Sequence, residues 1–333
     1  MVAREILEKF RGKNVLITGG LGFIGSNLAI ALAKVDANIT ILDAMIKGHG
    51  GNQFNIEPIR DKVLVKIGDV RDQATMEDMV TGKDFIFHLA GQNDHVISLT
   101  DPFPDIDINI KGSAMLLFCC KNRNPETRLV YTGTRGEYGA VKQLPVTEEA
   151  PINPRGIYEL SSLTAQQLFK IYHDNHGVRS VTLRLTNIYG ERAQMNHDRF
   201  GVVNWFIRLA LDNQSIKVFG DGLLLRDFLY VQDAVDAIIM AAASEKAYGE
   251  LFNLGGDTPL NFKELAGAIV KTTGSGNWEY APFSAERAKL EPGDFYSDIS
   301  KINRIVGWKP AYNIMQGLAN TIDYYKKYRE QYW

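Results

Sequence analysis

Short runs of aliphatic and β-branched residues recur through the first half of the chain, with helical spacing between them. NVLIT (14–18), NITIL (38–42), VLVKI (63–67), FIFHL (85–89), RLVYT (128–132) and SVTLRL (180–185) predict strands. Each run is apolar almost without a break, the pattern of a strand covered on both faces. The helical stretches supply the crossovers that parallel strands need. The fold class is therefore α/β, with a doubly wound parallel sheet over residues 1–186. From about residue 187 the pattern changes to mixed helices, short strands and Gly/Pro turns such as VFGDG and FNLGGDTPL. This predicts a smaller mixed α/β lobe over 187–333, from which the strand and helix of RDFLYVQDAVDAIIMAA (226–242) return, within 226–245, to the first domain.

The first run leads into a glycine-rich turn, NVLITGGLGFIGSNLAIALA, with Gly19, Gly22 and Gly25 between strand and amphipathic helix. Glycines here allow a tight turn, close approach of backbone to a pyrophosphate, and close helix–strand packing. Gly22, Phe23 and Ile24 then open a helix whose free amides and positive dipole end suit phosphates. Asp43 ends the second strand about 20 residues on, where a carboxylate binds the ribose hydroxyls of NAD and repels the 2′-phosphate of NADP. The strand–turn–helix context and this acid turn a weak glycine pattern into a Rossmann dinucleotide site. Asp69 and Val70, in GDVRD after the third strand, fall where an adenine would lie. Leu89 ends the fourth strand and joins the cofactor-binding set, and Ala90 and Gly91 after it are the small residues that a backbone passing under the cofactor needs.

Composition narrows the class further. The 333 residues are 45% hydrophobic and 23% charged, with a net charge of −2, which favours neither nucleic acid nor an anionic membrane as partner. The longest apolar runs, such as AIIMAAA, are too short to cross a bilayer, and the charged start lacks a signal-peptide core. Cys119 and Cys120 are adjacent and badly placed for a structural disulfide, so a cytoplasmic home is expected. His and Cys show no metal-ligand spacing, and no Gly-x-Ser-x-Gly elbow is present.

TGGLGFIG, GDVRD, HLAGQ, INIKGS, GTRGEYG, LPVTEEAPINP, LRLTNIYGER, GDGLLLRDFLYVQD and ISKINRIVGWKP occur in order from end to end. In them the chain resembles the extended short-chain dehydrogenase/reductases, specifically the nucleotide-sugar epimerases and dehydratases similar to UDP-glucose 4-epimerase. The resemblance implies NAD as cofactor, a nucleotide sugar as substrate and oxidation at the sugar C4. It assigns the proton-transferring tyrosine to Tyr158 and the hydroxyl that holds the same oxygen to Thr134. Ser162 stands where the family lysine lowers the phenol pKa and binds the nicotinamide ribose. A free phenol is ionised to about one part in a thousand at pH 7, and a nearby ammonium lowers its pKa by about 1–3. Serine supplies no charge. Either another cation compensates, with Arg135 as candidate, or Ser162 is a substitution that slows turnover, or the protein is catalytically reduced.

Related 4,6-dehydratases carry an Asp–Glu pair after the hydroxyl residue, where this chain has Arg135 and Gly136. Related decarboxylases carry a glutamate at the position of Gly136, and Glu137 lies one residue off. What remains is reversible C4 oxidation, most simply a 4-epimerase; a C4 dehydrogenase and a binding protein without turnover are the alternatives. The resemblance also implies Gln92 beside the sugar, together with Asp94 and His95, and Asn187 and Arg226 on the diphosphate. It gives Tyr189 and Gly190 a part in shaping the cofactor side. Phe219 near the base and Trp205 near the substrate are more simply core residues. Glu291 replaces an arginine that binds diphosphate in many relatives, with Arg287 as possible substitute. The helices of INIKGSAMLLFCCKN and YELSSLTAQQLFKIYHDNHG correspond to those that pair in family homodimers.

Overall fold

The computed structural model describes residues 2, 4–283 and 291–333. All six expected strands form: β1 (Asn14–Thr18), β2 (Asn38–Asp43), β3 (Val63–Ile67), β4 (Phe85–His88), β5 (Arg128–Thr134) and β6 (Arg179–Leu185). Further strands are β7 (Asn187–Tyr189), β8 (Ser215–Phe219), β9 (Leu225–Arg226), β10 (Phe228–Tyr230), β11 (Leu251–Leu254), β12 (Leu260–Asn261) and β13 (Asn277–Ala281). The helices up to residue 273 are α1 (Arg4–Glu8), α2 (Phe23–Ala33), α3 (Gln73–Val80), α4 (His95–Thr100), α5 (Phe103–Asp105), α6 (Gly112–Arg123), α7 (Ile157–His176), α8 (Val202–Leu211), α9 (Val231–Ala242) and α10 (Phe262–Thr273).

Seven strands make one parallel sheet in the order β11-β6-β5-β4-β1-β2-β3. The reason for unbroken apolar runs is visible residue by residue. Val15 and Ile17 of β1 join one core with Phe85 and Phe87, while Leu16 joins the other with Ile86 and Leu129. Successive side chains point to opposite faces, and both faces are covered by helices. One layer buries α2 and α9; the other buries α3, α6 and α7.

Two segments beyond residue 187 pack on this sheet. Helix α9 lies against α2, with Ala234, Ile238 and Ala241 fully buried. Strand β11 extends the sheet edge by pairing with β6, although its four residues run straight into the Gly-Gly turn and read as part of it. The remaining strands form three two-stranded pieces, β10 with β7, β12 with β9 and β13 with β8. Strand order reverses between β1 and β4, and the carboxyl ends there are where doubly wound sheets leave a crevice.

Candidate active site

That crevice is a cavity of about 610 Å³ running from the glycine turn to the start of α7. Gly19 has φ +70°, and a Cβ there would lie 2.8 Å from the amide of Ala90 and the carbonyl of Leu89. The turn therefore touches the end of β4 backbone to backbone, which only glycine permits. Gly22 caps α2 without a side chain, and Phe23, Ile24 and Gly25 line the cavity with the amides that a helix start leaves unpaired. Asp43 faces the same space. Its two oxygens accept from the amides of Leu21 (3.0 Å) and Met45 (2.9 Å), while burial raises its pKa. Asp69 lines the cavity with its carboxylate gripped by Arg71 at 2.9 and 2.6 Å, a pairing that lowers its pKa. Val70, Leu89, Ala90 and Gly91 complete the wall. Bare amides at a helix start, close-packed glycines and a fixed carboxylate at the end of β2 fit a dinucleotide.

At the other end Tyr158, in the first turn of α7, lines the cavity together with Thr134, which ends β5. Burial pushes the phenol pKa upward; the Thr134 hydroxyl opposes this, and the carboxylates of Glu159, Glu137 and Asp105 add to it. Ser162, one turn on, is buried and donates to Glu137 at 2.9 Å, while Tyr131 donates to its carbonyl at 3.1 Å. Glu137 is itself fully buried and paired with Arg184 at 2.7 Å, beneath the ring of Tyr138. Burial raises the pKa of Glu137 even against that pairing. The position expected to hold an ammonium thus holds a hydroxyl backed by a carboxylate.

Arg135, the candidate compensating cation, lines the same cavity as Tyr158. Its guanidinium stacks over Phe295 at 4.9 Å, and burial, with Arg226 nearby, pulls its pKa down to about 10. Arg226 departs from expectation. It is buried, donates to the carbonyls of Leu225 and Gly293 at 2.7 Å, pairs with Glu291, and does not line the cavity. The acid expected to repel a diphosphate instead holds the arginine expected to bind it. Gln92 lines the cavity but is buried, its amide nitrogen donating to the Asp94 carbonyl and its oxygen accepting from the Asp94 amide, so it braces its own loop. Asn187 lines the cavity, its amide on the Asp227 carbonyl at 3.0 Å. Tyr189 is turned into the core, bonded to the Ile314 carbonyl, and Gly190 is held by Asn204. Trp205 packs against the core under Arg208, and Phe219 packs on Phe283. Arg287 lies outside the described residues.

Arg155, Arg199 and Glu159 line the cavity and escaped the sequence reading. Arg155 and Arg199 bring cations to the substrate end, Arg199 paired with Asp94 at 2.7 Å. His95 packs edge-on against the ring of Tyr158, with centroids 4.6 Å apart, and its Nδ1 lies 2.8 Å from Glu159. Asp105, buried behind them, has its pKa pushed up to about 6 by that burial. No sequence spacing links His95 to Glu159; the loop after β4 and the start of α7 meet only in the fold.

Comparison with known proteins agrees with this geometry. Residues 15–255 match the model of the NAD dependent epimerase/dehydratase family. A putative UDP-glucose 4-epimerase of Methanocaldococcus jannaschii is 32% identical over 94% of this chain and 98% of its own. A dTDP-glucose 4,6-dehydratase of Streptomyces niveus is 31% identical over 95% of this chain and 93% of its own. The solved structure of an epimerase from Methanothermobacter thermautotrophicus superposes with a TM-score of 0.91 at 28% identity, covering 98% of this chain and 96% of that one. The chain belongs to the NAD dependent epimerase/dehydratase family, the extended short-chain dehydrogenase/reductase group that acts on nucleotide sugars.

Proposed function

We propose that this family member oxidises C4 of a nucleotide-activated hexose to a ketone and returns it with inverted configuration, as a 4-epimerase. The observation that carries the reading is that Tyr158 and Thr134 line the same cavity as the glycine cradle. Gly19, Gly22, Phe23, Ile24, Asp43, Asp69, Val70, Leu89, Ala90 and Gly91 would hold NAD, which when bound supplies the two-electron acceptor and donor. Thr134 orients the C4 oxygen, and Tyr158 takes its proton on oxidation and gives it back on reduction. Ser162 serves the ribose by hydrogen bonding alone. Asn187, Arg155 and Arg199 are the cavity groups suited to a diphosphate, and Gln92 positions the loop at the sugar.

The pairing of α6 and α7 with a second copy fits the same reading. Phe118, Leu160 and Ile171 stand exposed on these helices, and Phe103 just before them. Among the described residues no helix is long and apolar enough to cross a membrane, and we place the enzyme in the cytoplasm. The test is incubation with UDP-, dTDP-, GDP- and CDP-hexoses and analysis of the recovered sugars. Inversion at C4 that is lost in Tyr158→Phe is the expected result. Net release of ketosugar with reduced cofactor would replace the epimerase by a dehydrogenase. Binding without any product would leave a non-catalytic binding protein.

A further inference from the structure

The cavity holds a histidine–carboxylate contact that C4 oxidation does not use. We propose that His95 and Glu159 form a second acid–base pair, separate from Tyr158, which moves a proton on and off a carbon adjacent to the sugar ketone. The inference rests on the reading above for its substrate, a 4-ketosugar.

Three features distinguish this pair from an ordinary surface ion pair. Both residues line the cavity, and His95 lies against the ring of Tyr158, so they face the same bound carbon region. The Glu159 side chain is only 13% exposed, and its seat is built by glycines on two segments. A Cβ on Gly136 would lie 2.7 Å from its Cγ, and one on Gly156 would run into its carboxylate. Its place in the first turn of α7 and its bond to His95 keep the carboxylate ionised; its pKa is lowered although burial opposes this. Glu159 accepts from Nδ1, which holds the imidazole in the tautomer whose lone pair is on Nε2. That is the arrangement of a general base oriented by a carboxylate.

Four other titratable groups of the cavity are less suited. His88 is buried, bonded to Thr18 and Ser113, and its pKa is pushed down to about 4 by burial. Asp69 is held by Arg71, and Asp43 stands at the glycine-turn end. Tyr158 holds the proton taken from the C4 hydroxyl once the ketone has formed, and is then a hydrogen-bond donor to the ketone oxygen.

The chemistry balances without a further reagent. Once C4 is a carbonyl, a C–H bond on a neighbouring carbon breaks and its proton passes to Nε2 of His95. The electron pair enters the new C=C bond, and the oxygen takes up the charge as an enolate held by Thr134 and Tyr158. The imidazolium returns a proton to the same carbon. His95 is exposed, so in heavy water the returned proton is a deuteron.

The test supplies the ketone directly, so that C4 oxidation is not required. The purified protein is incubated in D₂O with a nucleotide-activated 4-keto-6-deoxyhexose, and deuterium at each flanking carbon is followed by proton NMR and mass. One flanking position is expected to exchange at least 100-fold faster than in buffer. His95→Gln and Glu159→Gln should each lower that rate at least tenfold. In Glu159→Gln the ring-nitrogen resonances of His95 should also lose the Nδ1–H signature, which a merely structural role would leave in place. No enhancement by the unmodified protein, or full exchange in His95→Gln, overturns the inference. Exchange on the ketone without C4 inversion of any parent hexose would sink the epimerase and leave the acid–base pair standing; inversion without exchange would do the reverse. Loss of water from a parent hexose bearing a 6-hydroxyl, abolished in His95→Gln, also supports the pair.

Discussion

Placing lysine at position 162 tests the electrostatics of the phenol directly. Tyr158 is buried, the principal charges acting on it are carboxylates, and its pKa is raised. In the oxidation direction kcat/KM should therefore climb about tenfold per pH unit through neutrality, with no plateau below about pH 10. An ammonium about 6 Å from the phenol, at an effective dielectric of about 20, favours the phenolate by about 3 kcal/mol, or about 2 in pKa. Part of this is lost, because Glu137 lies 2.9 Å from the Ser162 hydroxyl and pairs with the new charge. The same pairing cancels the upward push of Glu137 on the phenol. The expected net gain is about 10- to 100-fold in kcat/KM at pH 7–8. It shrinks as pH approaches the phenol pKa, since there the unmodified protein is ionised as well. The assay is the pH profile of C4 oxidation for the natural protein, Ser162→Lys and the uncharged Ser162→Met. Folding is checked by thermal melting and NAD titration. An unmoved profile in folded Ser162→Lys, or an equal gain in Ser162→Met, would refute the reasoning.

Other outcomes follow from single contacts. Asp43→Asn removes the charge facing the ribose and should weaken NAD about tenfold while narrowing its preference over NADP, as read by fluorescence titration. Arg184→Met strands the buried Glu137 carboxylate and should cost about 3–5 kcal/mol at pH 7 by chemical denaturation. The raised pKa of Glu137 means the folded state takes up the proton first, so the loss should be smaller at pH 5. For the proposed pairing of α6 and α7 with a second copy, Leu160→Glu puts a charge on the exposed stripe of α7 and should shift sedimentation toward monomer.

The residues that the sequence located well are those whose function is set by neighbours in the chain. The unbroken apolar runs marked β1, β2 and β4 to β6 because burial on both faces leaves no alternation; β3, at the sheet edge, has no buried residue, and its Leu64 and Ile67 stand exposed, contrary to the covering that its apolar run predicts. The glycine turn was legible because strand, turn and helix are contiguous, and the carboxylate at the end of β2 follows at a fixed distance. Strand β11 was not, since four residues before a Gly-Gly turn carry no period of their own, and only the free edge of β6 makes them a strand.

Tertiary structure decided what the charges do. From the chain alone, Arg226 and Glu291 were a phosphate ligand and a repulsive defect; packed together, the buried arginine and the half-buried acid neutralise each other. Glu137, Ser162 and Arg184 lie on three different segments and become one network beneath the site. His95 and Glu159 meet only because β4 and β5 lie side by side, so that the loop after β4 and the start of α7 leave the same end of the sheet. Local pattern fixes where backbone goes, because steric and hydrophobic periodicity act between near neighbours. Charge is settled by whichever opposite charge shares its low-dielectric surroundings, and that partner is chosen by the fold.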